Sequence, residues 1–153
     1  MSVPDVSGAG GVSLPACKFC AIEAGDLAAH VVLEGESTLA FLDHRPVFPG
    51  HTVLIPRRHI ETLPELPDDL LGPLFADARR IAAAMEGGFE AHGTFVAMNS
   101  RISQSVPHLH VHVVPRHRKD GLRGFFWPRT RYADDTEAAD VAARVRAAIE
   151  AVK

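Results

Sequence analysis

The chain is poor in most of the residues that mark specialised protein classes. Of its 153 residues, two are cysteine, one is tryptophan and one is tyrosine. Two cysteines cannot build a disulfide scaffold. No apolar run approaches the ~18 residues of a membrane-spanning helix, so no membrane partner is expected. The first fifteen residues have neither the basic start nor the apolar stretch of a secretory leader, which makes the cytoplasm the expected location. Positive charge is also short: 16 Lys and Arg stand against 19 Asp and Glu, a net charge of −3. Duplex binding needs a basic field, so no nucleic-acid partner is expected. A hydrophobic share of 46% and a charged share of 23% are ordinary for a globular chain and exclude wholesale disorder. The length suits one domain with its own core.

Periodicity supplies an α+β expectation. Residues 1–15, with Gly8, Gly10 and Gly11, bury too little to order themselves and read as a disordered tail. A short helix is expected from Cys17 to Ala24, ended by Gly25-Asp26. His30–Glu34 and Thr38–Leu42 are β-branched and apolar around Gly35-Glu36, the pattern of a hairpin. His51–Ile55 is a short buried strand stopped by Pro56. Pro67-Asp68-Asp69 opens a long helix whose stripe is Leu70, Leu74, Ala78, Ile81 and Met85. Pro73 falls in its first two turns, where it either delays the start or bends the helix. Thr94–Asn99 and His108–Val114 are further strands. Asp134-Asp135-Thr136-Glu137 opens a C-terminal helix. The expected fold is an antiparallel sheet of about five strands with one long helix, a short N-terminal helix and a C-terminal helix.

What the chain has in excess is histidine, nine in all. Three of them stand in His108-Leu-His110-Val-His112-Val-Val-Pro115. Side chains alternate along a strand, so the three imidazoles share one face and Leu109, Val111 and Val113 point into a core. Packing has no use for three imidazoles in a row. One chemistry open to them is zinc binding. The other is phosphate chemistry, in which a neutral imidazole attacks and a neighbouring one holds an anionic oxygen. The polar segment Ser103-Gln-Ser-Val-Pro107 leads directly into the row and can present backbone N–H groups to an anion, which favours phosphate.

The run Gln104-Ser-Val-Pro-His-Leu-His-Val-His-Val-Val-Pro115 resembles the signature of the histidine triad (HIT) family of nucleotide hydrolases and transferases. Cys17-Lys-Phe-Cys20 with Ala21–Gly25, Phe41-Leu-Asp43, and Pro49–His59 resemble other stretches of that family in order. The likeness covers about residues 17–116. It divides the chain into a tail (1–15), a HIT domain (16–116) and a C-terminal extension with a helix (117–153). The resemblance implies that His110 is the nucleophile at the α-phosphorus of a nucleotide, forming a nucleotidyl-imidazole that water cleaves. It implies that His112 contacts the same phosphoryl oxygens and that His51 supports the histidine network. Gln104 and Ser105 then meet phosphate and leaving group, Asp43 the ribose hydroxyls, and Asn99 ribose and phosphate. Phe19, Phe41 and Leu42 line the base pocket. The implied substrates are purine nucleoside phosphoramidates, aminoacyl-adenylate-like adducts or dinucleoside polyphosphates, with phosphorylase, nucleotidyltransferase and non-catalytic nucleotide-binding roles as alternatives. A homodimer with a continued sheet is implied as well.

Without the resemblance, Asp43 would be a turn residue, Phe41 a core residue, and Gln104 and Ser105 plain loop. The chain also departs from the family. Where glycines usually precede the glutamine, Arg101 and Ser103 stand, and the loop is about two residues short. Arg101 then becomes a candidate charge for a longer polyphosphate, as does the basic run Arg116-His-Arg-Lys119 with Arg123.

Cys17, Cys20, His59 and His108 match the ligands of a zinc-binding branch of the family. Four thiolate and imidazole ligands make a closed, structural zinc site, leaving the chemical step without a metal. A competing arrangement would use His108, His110 and His112 as ligands of a catalytic zinc.

Overall fold

A computed structural model describes residues 17–122 and 130–152. The expected tail, Arg123 of the basic run and the aromatic run Phe125-Phe-Trp-Pro128 lie outside the described residues. Two compact units divide at Asp120 and Gly121.

The first unit is an antiparallel sheet of five strands: β1 (Val31–Glu34), β2 (Thr38–Leu42), β3 (Thr52–Pro56), β4 (Gly93–Ala97) and β5 (Val111–Arg116). Their order is β1-β2-β3-β5-β4. The first three form a meander. The chain then crosses by a long helix to the edge strand β4, and β5 fills the gap between β4 and β3. The strand that ends the histidine row is thus paired on both sides, with Val53 opposite His112 and Ala97 opposite the same residue.

Each face of the sheet buries one set of alternating residues. Ala40, Leu54, Val111 and Val113 pack with Leu70, Leu74, Ala78, Ile81 and Met85 of helix α2 (Asp68–Gly88). That stripe is the expected one, and each fully buried aliphatic side chain in it contributes about 1.5–3 kcal/mol. Pro73 stands inside the helix without delaying its start at Asp68. The missing N–H falls in the second turn. On the other face, Leu39, Phe41, Val53 and Ile55 pack with Phe19 and Ile22 of the short helix α1 (Lys18–Ala24). Cys17 caps α1, its sulfur accepting from the Cys20 N–H. Gly25 ends the helix at a φ of +82°, a left-handed value that glycine adopts without penalty.

Several boundaries differ from expectation by one or two residues. The largest difference is at the histidine row. The strand expected over His108–Val114 begins at Val111 and runs to Arg116. Continuing the register would set Leu109 against Pro56, which has no N–H to give. Leu109 instead donates its N–H to the Ile60 carbonyl at 2.6 Å. His108–His110 therefore form an extended lead-in, not ladder. Alternation survives, because Leu109, Val111 and Val113 are all fully buried.

The second unit contains helix α3 (Asp135–Ala151). Asp134 caps it by accepting from the Glu137 N–H at 2.8 Å, as the acidic start predicts.

Candidate active site and metal centre

The alternation that buries Leu109 and Val111 turns His110 and His112 to the opposite face, the one covered by α1. The two rings lie 4.9 Å apart between centroids, and Phe19 stands edge-on to His110 at 5.0 Å and to Phe41 at 5.4 Å. Phe19 and Phe41 thus wall one side of the histidines. Leu42, next along β2, is exposed.

Hydrogen bonds fix which nitrogen of each neutral ring carries the proton. His110 Nδ1 lies 2.7 Å from the His108 carbonyl, which can only accept. His110 Nδ1 is therefore the N–H, and Nε2 is left with a lone pair. His51 Nδ1 accepts from the Val47 N–H at 3.1 Å, so its proton sits on Nε2. That nitrogen is 2.9 Å from His112 Nδ1, which must then accept, leaving His112 with Nε2–H as its outward donor. The facing rings carry opposite tautomers: a nucleophilic nitrogen on His110 and a donor on His112. The chain of bonds ends at a backbone amide, so His51 orients His112 and cannot relay a proton onward. Burial pushes His112 down to about 4, helped by the neighbouring His110 and His51 rings. Burial also lowers His51, against the pull of Asp43. Both rings are neutral at pH 7, as this arrangement requires.

His51 is itself held by the turn before β3. Gly50 has a φ of +95°, and a Cβ there would lie 2.9 Å from the Phe89 ring. Asp43 closes the group: one oxygen accepts from the Arg45 N–H at 2.8 Å, and the other lies 3.6 Å from His51 Nε2. Asp43, His51 and His112 could be read as metal ligands by proximity. A metal on His51 Nε2 would send that ring's proton to Nδ1, against the Val47 N–H. The three are a hydrogen-bonded histidine pair with a carboxylate beside it, an arrangement that does not suit a metal.

The loop before the row takes an unusual path. Arg101 and Ser103 have φ values of +69° and +57°, left-handed conformations that cost a side-chain-bearing residue about 1–2 kcal/mol each. Those are the positions where glycine was expected. The strain is held by side chains. Asn99 Nδ2 donates to the Ser103 carbonyl at 3.2 Å, and Gln104 accepts from the Arg101 N–H at 2.8 Å while donating to the Glu61 carbonyl at 2.6 Å. Gln104 and Asn99 are thus spent on shaping the loop. The backbone N–H groups of Ser103, Gln104 and Ser105 make no hydrogen bond with the described residues. Alternating signs of φ gather successive amides into an anion-binding concavity. Backbone N–H groups are expected of the segment Ser103–Pro107 from its sequence; the left-handed residues Arg101 and Ser103 that gather them are visible only in the structure.

The basic run lies elsewhere. Arg116 is clamped by Asp120 at 2.6 and 3.0 Å. Six residues of extended chain separate it from His110, roughly 20 Å at ~3.3 Å per residue. Arg101 faces Glu65 at 3.8 Å, both side chains largely exposed.

On the far side of Phe19, Cys17, Cys20, His59 and His108 bring their ligand atoms together. Sγ to Nδ1 distances are 3.5 Å for Cys17–His108, 3.5 Å for Cys20–His108 and 3.2 Å for Cys20–His59. A zinc tetrahedron with Zn–S of about 2.3 Å and Zn–N of about 2.0–2.1 Å has S···N edges of ~3.5 Å, so the four donors fit one. His108 lies 2.8 Å from the Pro56 carbonyl through Nε2, which fixes the proton there and frees Nδ1 for the cluster. Burial, then the neighbouring Cys17, pushes the Cys20 thiol up to about 11. A dication beside Cys20 would reverse that shift and hold the sulfur as thiolate. His108 turns its free nitrogen to the cysteines and His112 Nδ1 turns to His51, so the three histidines of the row do not converge on one metal.

Residues 24–119 match the HIT domain. The chain is 39% identical over 127 residues to "Protein hit" of Bacillus subtilis, across 82% of this chain and 86% of that one. It is 32% identical to the adenosine 5′-monophosphoramidase HNT1 of Saccharomyces cerevisiae, covering 70% and 67% of the two chains. It is 30% identical to the asymmetrical bis(5′-nucleosyl)-tetraphosphatase of Schizosaccharomyces pombe, covering 61% and 53%. A zinc-bound histidine triad family protein of Mycobacterium smegmatis superposes with a TM-score of 0.67 at 34% identity, over 90% and 97% of the two chains. With its fold, its histidine row and the matched span in agreement, the chain belongs to the HIT family.

Proposed function

We propose that the protein is a nucleotide hydrolase that cleaves the bond between the α-phosphate and its leaving group, through a nucleotidyl-His110 intermediate. The observation that carries this reading is the tautomer of His110, whose Nδ1–H is bound to the His108 carbonyl. In the first step the Nε2 lone pair attacks phosphorus. A P–N bond to His110 forms, and the bond to the leaving group breaks with its electron pair, which takes up a proton from solvent. In the second step water attacks phosphorus and releases a proton to solvent, the P–N bond breaks and the lone pair returns to Nε2. His112 Nε2–H and the amides of Ser103, Gln104 and Ser105 serve as fixed donors to the phosphoryl oxygens. Preorganised donors of this kind stabilise the charge that develops in the transition state. Splitting one displacement into two makes each easier.

Asp43 receives the ribose hydroxyls, and Phe19, Phe41 and Leu42 line the base site. Relatives named as a monophosphoramidase and a tetraphosphatase support P–N and P–O substrates respectively. A nucleoside phosphoramidate is favoured over a long polyphosphate, because Arg116 is clamped by Asp120 and stands six residues along the extended chain from His110. Mixing the protein with a panel of adenosine phosphoramidates and dinucleoside polyphosphates, then acid-quenching for mass spectrometry, should trap a nucleotidyl adduct on the peptide containing His110. An adduct on another residue, or turnover with none, would overturn the assignment.

Cys17, Cys20, His59 and His108 would hold zinc as a structural ion, which supplies cross-linking of α1 to the lead-in and no chemistry. Thiolate ligands of this kind belong in a reducing compartment, so the cytoplasm is the location this reading requires. The tail, HIT domain and C-terminal extension keep the boundaries given above. A homodimer formed through β4, the last strand of the sheet among the described residues, with Val96 45% exposed, is the assembly this reading favours. Val96→Lys should shift the protein to monomer in sedimentation; an unchanged dimer would place the interface elsewhere.

A further inference from the structure

His51 Nε2 carries one proton and has two acceptors. His112 Nδ1 lies 2.9 Å away and the Asp43 carboxylate 3.6 Å away. The first is a hydrogen bond; the second is too long for one and attracts by charge alone. His51 cannot serve both acceptors, because its other nitrogen is occupied by the Val47 N–H. His51 is buried, whereas Asp43 stands half-buried in the loop after β2, with its second oxygen on the Arg45 N–H. The oxygen facing His51 accepts no hydrogen bond from the described residues and is open to a ligand.

We propose that Asp43 is a positioning residue that couples nucleoside recognition to the catalytic histidines: hydroxyls bound at its carboxylate satisfy it and leave the His51 proton wholly to His112. With the carboxylate satisfied, His112 is held by an undivided bond at Nδ1 and its Nε2–H is aimed at phosphorus. Without hydroxyls, the charge of the unsatisfied carboxylate pulls on the His51 N–H from 3.6 Å and weakens its bond to His112 without breaking it. The ligand class is a nucleoside with vicinal 2′,3′-hydroxyls, which can both donate to one carboxylate. This inference rests on the proposed roles of His110 and His112. It adds that ribose binding energy appears in kcat, not only in KM, as remote binding energy does when it organises the reacting centre.

The test uses the zinc-loaded full-length protein, adenosine 5′-phosphoramidate and its 2′,3′-dideoxy counterpart. For the wild type, the dideoxy substrate should lower kcat about tenfold beyond any rise in KM. In Asp43→Ser and in His51→Asn the two substrates should share one kcat, since the link is cut at either residue. A dideoxy effect confined to KM in the wild type, or a kcat difference that persists in both variants, would sink the coupling. A second readout needs no turnover: ¹⁵N spectra of the imidazoles during titration with adenosine or 2′,3′-dideoxyadenosine. Adenosine should move the His112 Nδ1 resonance in the wild type but not in Asp43→Ser, and the dideoxy nucleoside should move it in neither. Adenosine binding with His112 unmoved overturns the inference and leaves the hydrolase reading intact. Absence of nucleoside binding overturns both.

Discussion

At the scale of single residues, the site works by assigning protons. His110 and His112 are the same residue type two positions apart, yet one exposes a lone pair and the other an N–H. The difference comes from two acceptors, the His108 carbonyl and His112's own Nδ1, each met by a single N–H. His110→Ala should therefore abolish turnover while nucleotide binding stays within about tenfold, ~1.4 kcal/mol, because attack and binding use different groups. Equilibrium binding and single-turnover assays on the purified variant check this, and full residual activity would remove the nucleophile.

At the scale of elements, two short segments bracket the catalytic lead-in. Helix α1 supplies Cys17, Cys20 and Phe19, so one turn of helix contributes both to the metal cluster and to the wall against His110. His108 and His110 lie two residues apart on the lead-in. On the proposed reading, a metal at His108 would brace the backbone that presents His110 without touching phosphate. Purified protein should contain about one zinc per chain. Cys20→Ser should lower zinc content and melting temperature together, since metal-binding free energy is folding free energy, and leave a reduced but measurable rate. Elemental analysis, thermal unfolding and a rate assay on one preparation decide it. Lost turnover with zinc and melting temperature unchanged would move the cysteine into the chemistry. The loop 99–105 is the second bracket. Its two left-handed residues, Arg101 and Ser103, are held by Gln104 and Asn99.

At the scale of the whole molecule, buried neutral histidines tie stability to pH. His112 titrates near 4 when folded and near 6.5 when unfolded, and His51 is lowered in the same sense. Between those values the unfolded chain holds more protons than the folded one, so acid favours unfolding. Stability should be full above about pH 6.5 and fall as pH drops toward about 4. Urea unfolding across this range should show that slope, and His112→Asn should flatten it; identical slopes would mean His112 is not held neutral. Among the described residues no helix is long and apolar enough to cross a membrane.

Much of this architecture is legible in one dimension because it depends on local period. The stripe Leu70, Leu74, Ala78, Ile81 and Met85 can face one way only on a helix, and Leu109, Val111 and Val113 share a face on any extended chain. The histidine row, the Cys17–Cys20 pair and the acidic helix start at Asp134 belong to the same class. Tertiary structure decided what depends on partners distant in sequence. Pro56, more than fifty residues before the row, has no N–H to give and so sets where β5 begins. The insertion of β5 between β3 and β4 follows from the crossover of α2, which no local pattern encodes. The proton on each imidazole is set by a carbonyl or an amide that only folding brings within 3 Å or so. Residue types limited the chemistry to imidazole, thiol and phosphate; the fold chose which nitrogen does what, because a tautomer is a property of neighbours and not of sequence.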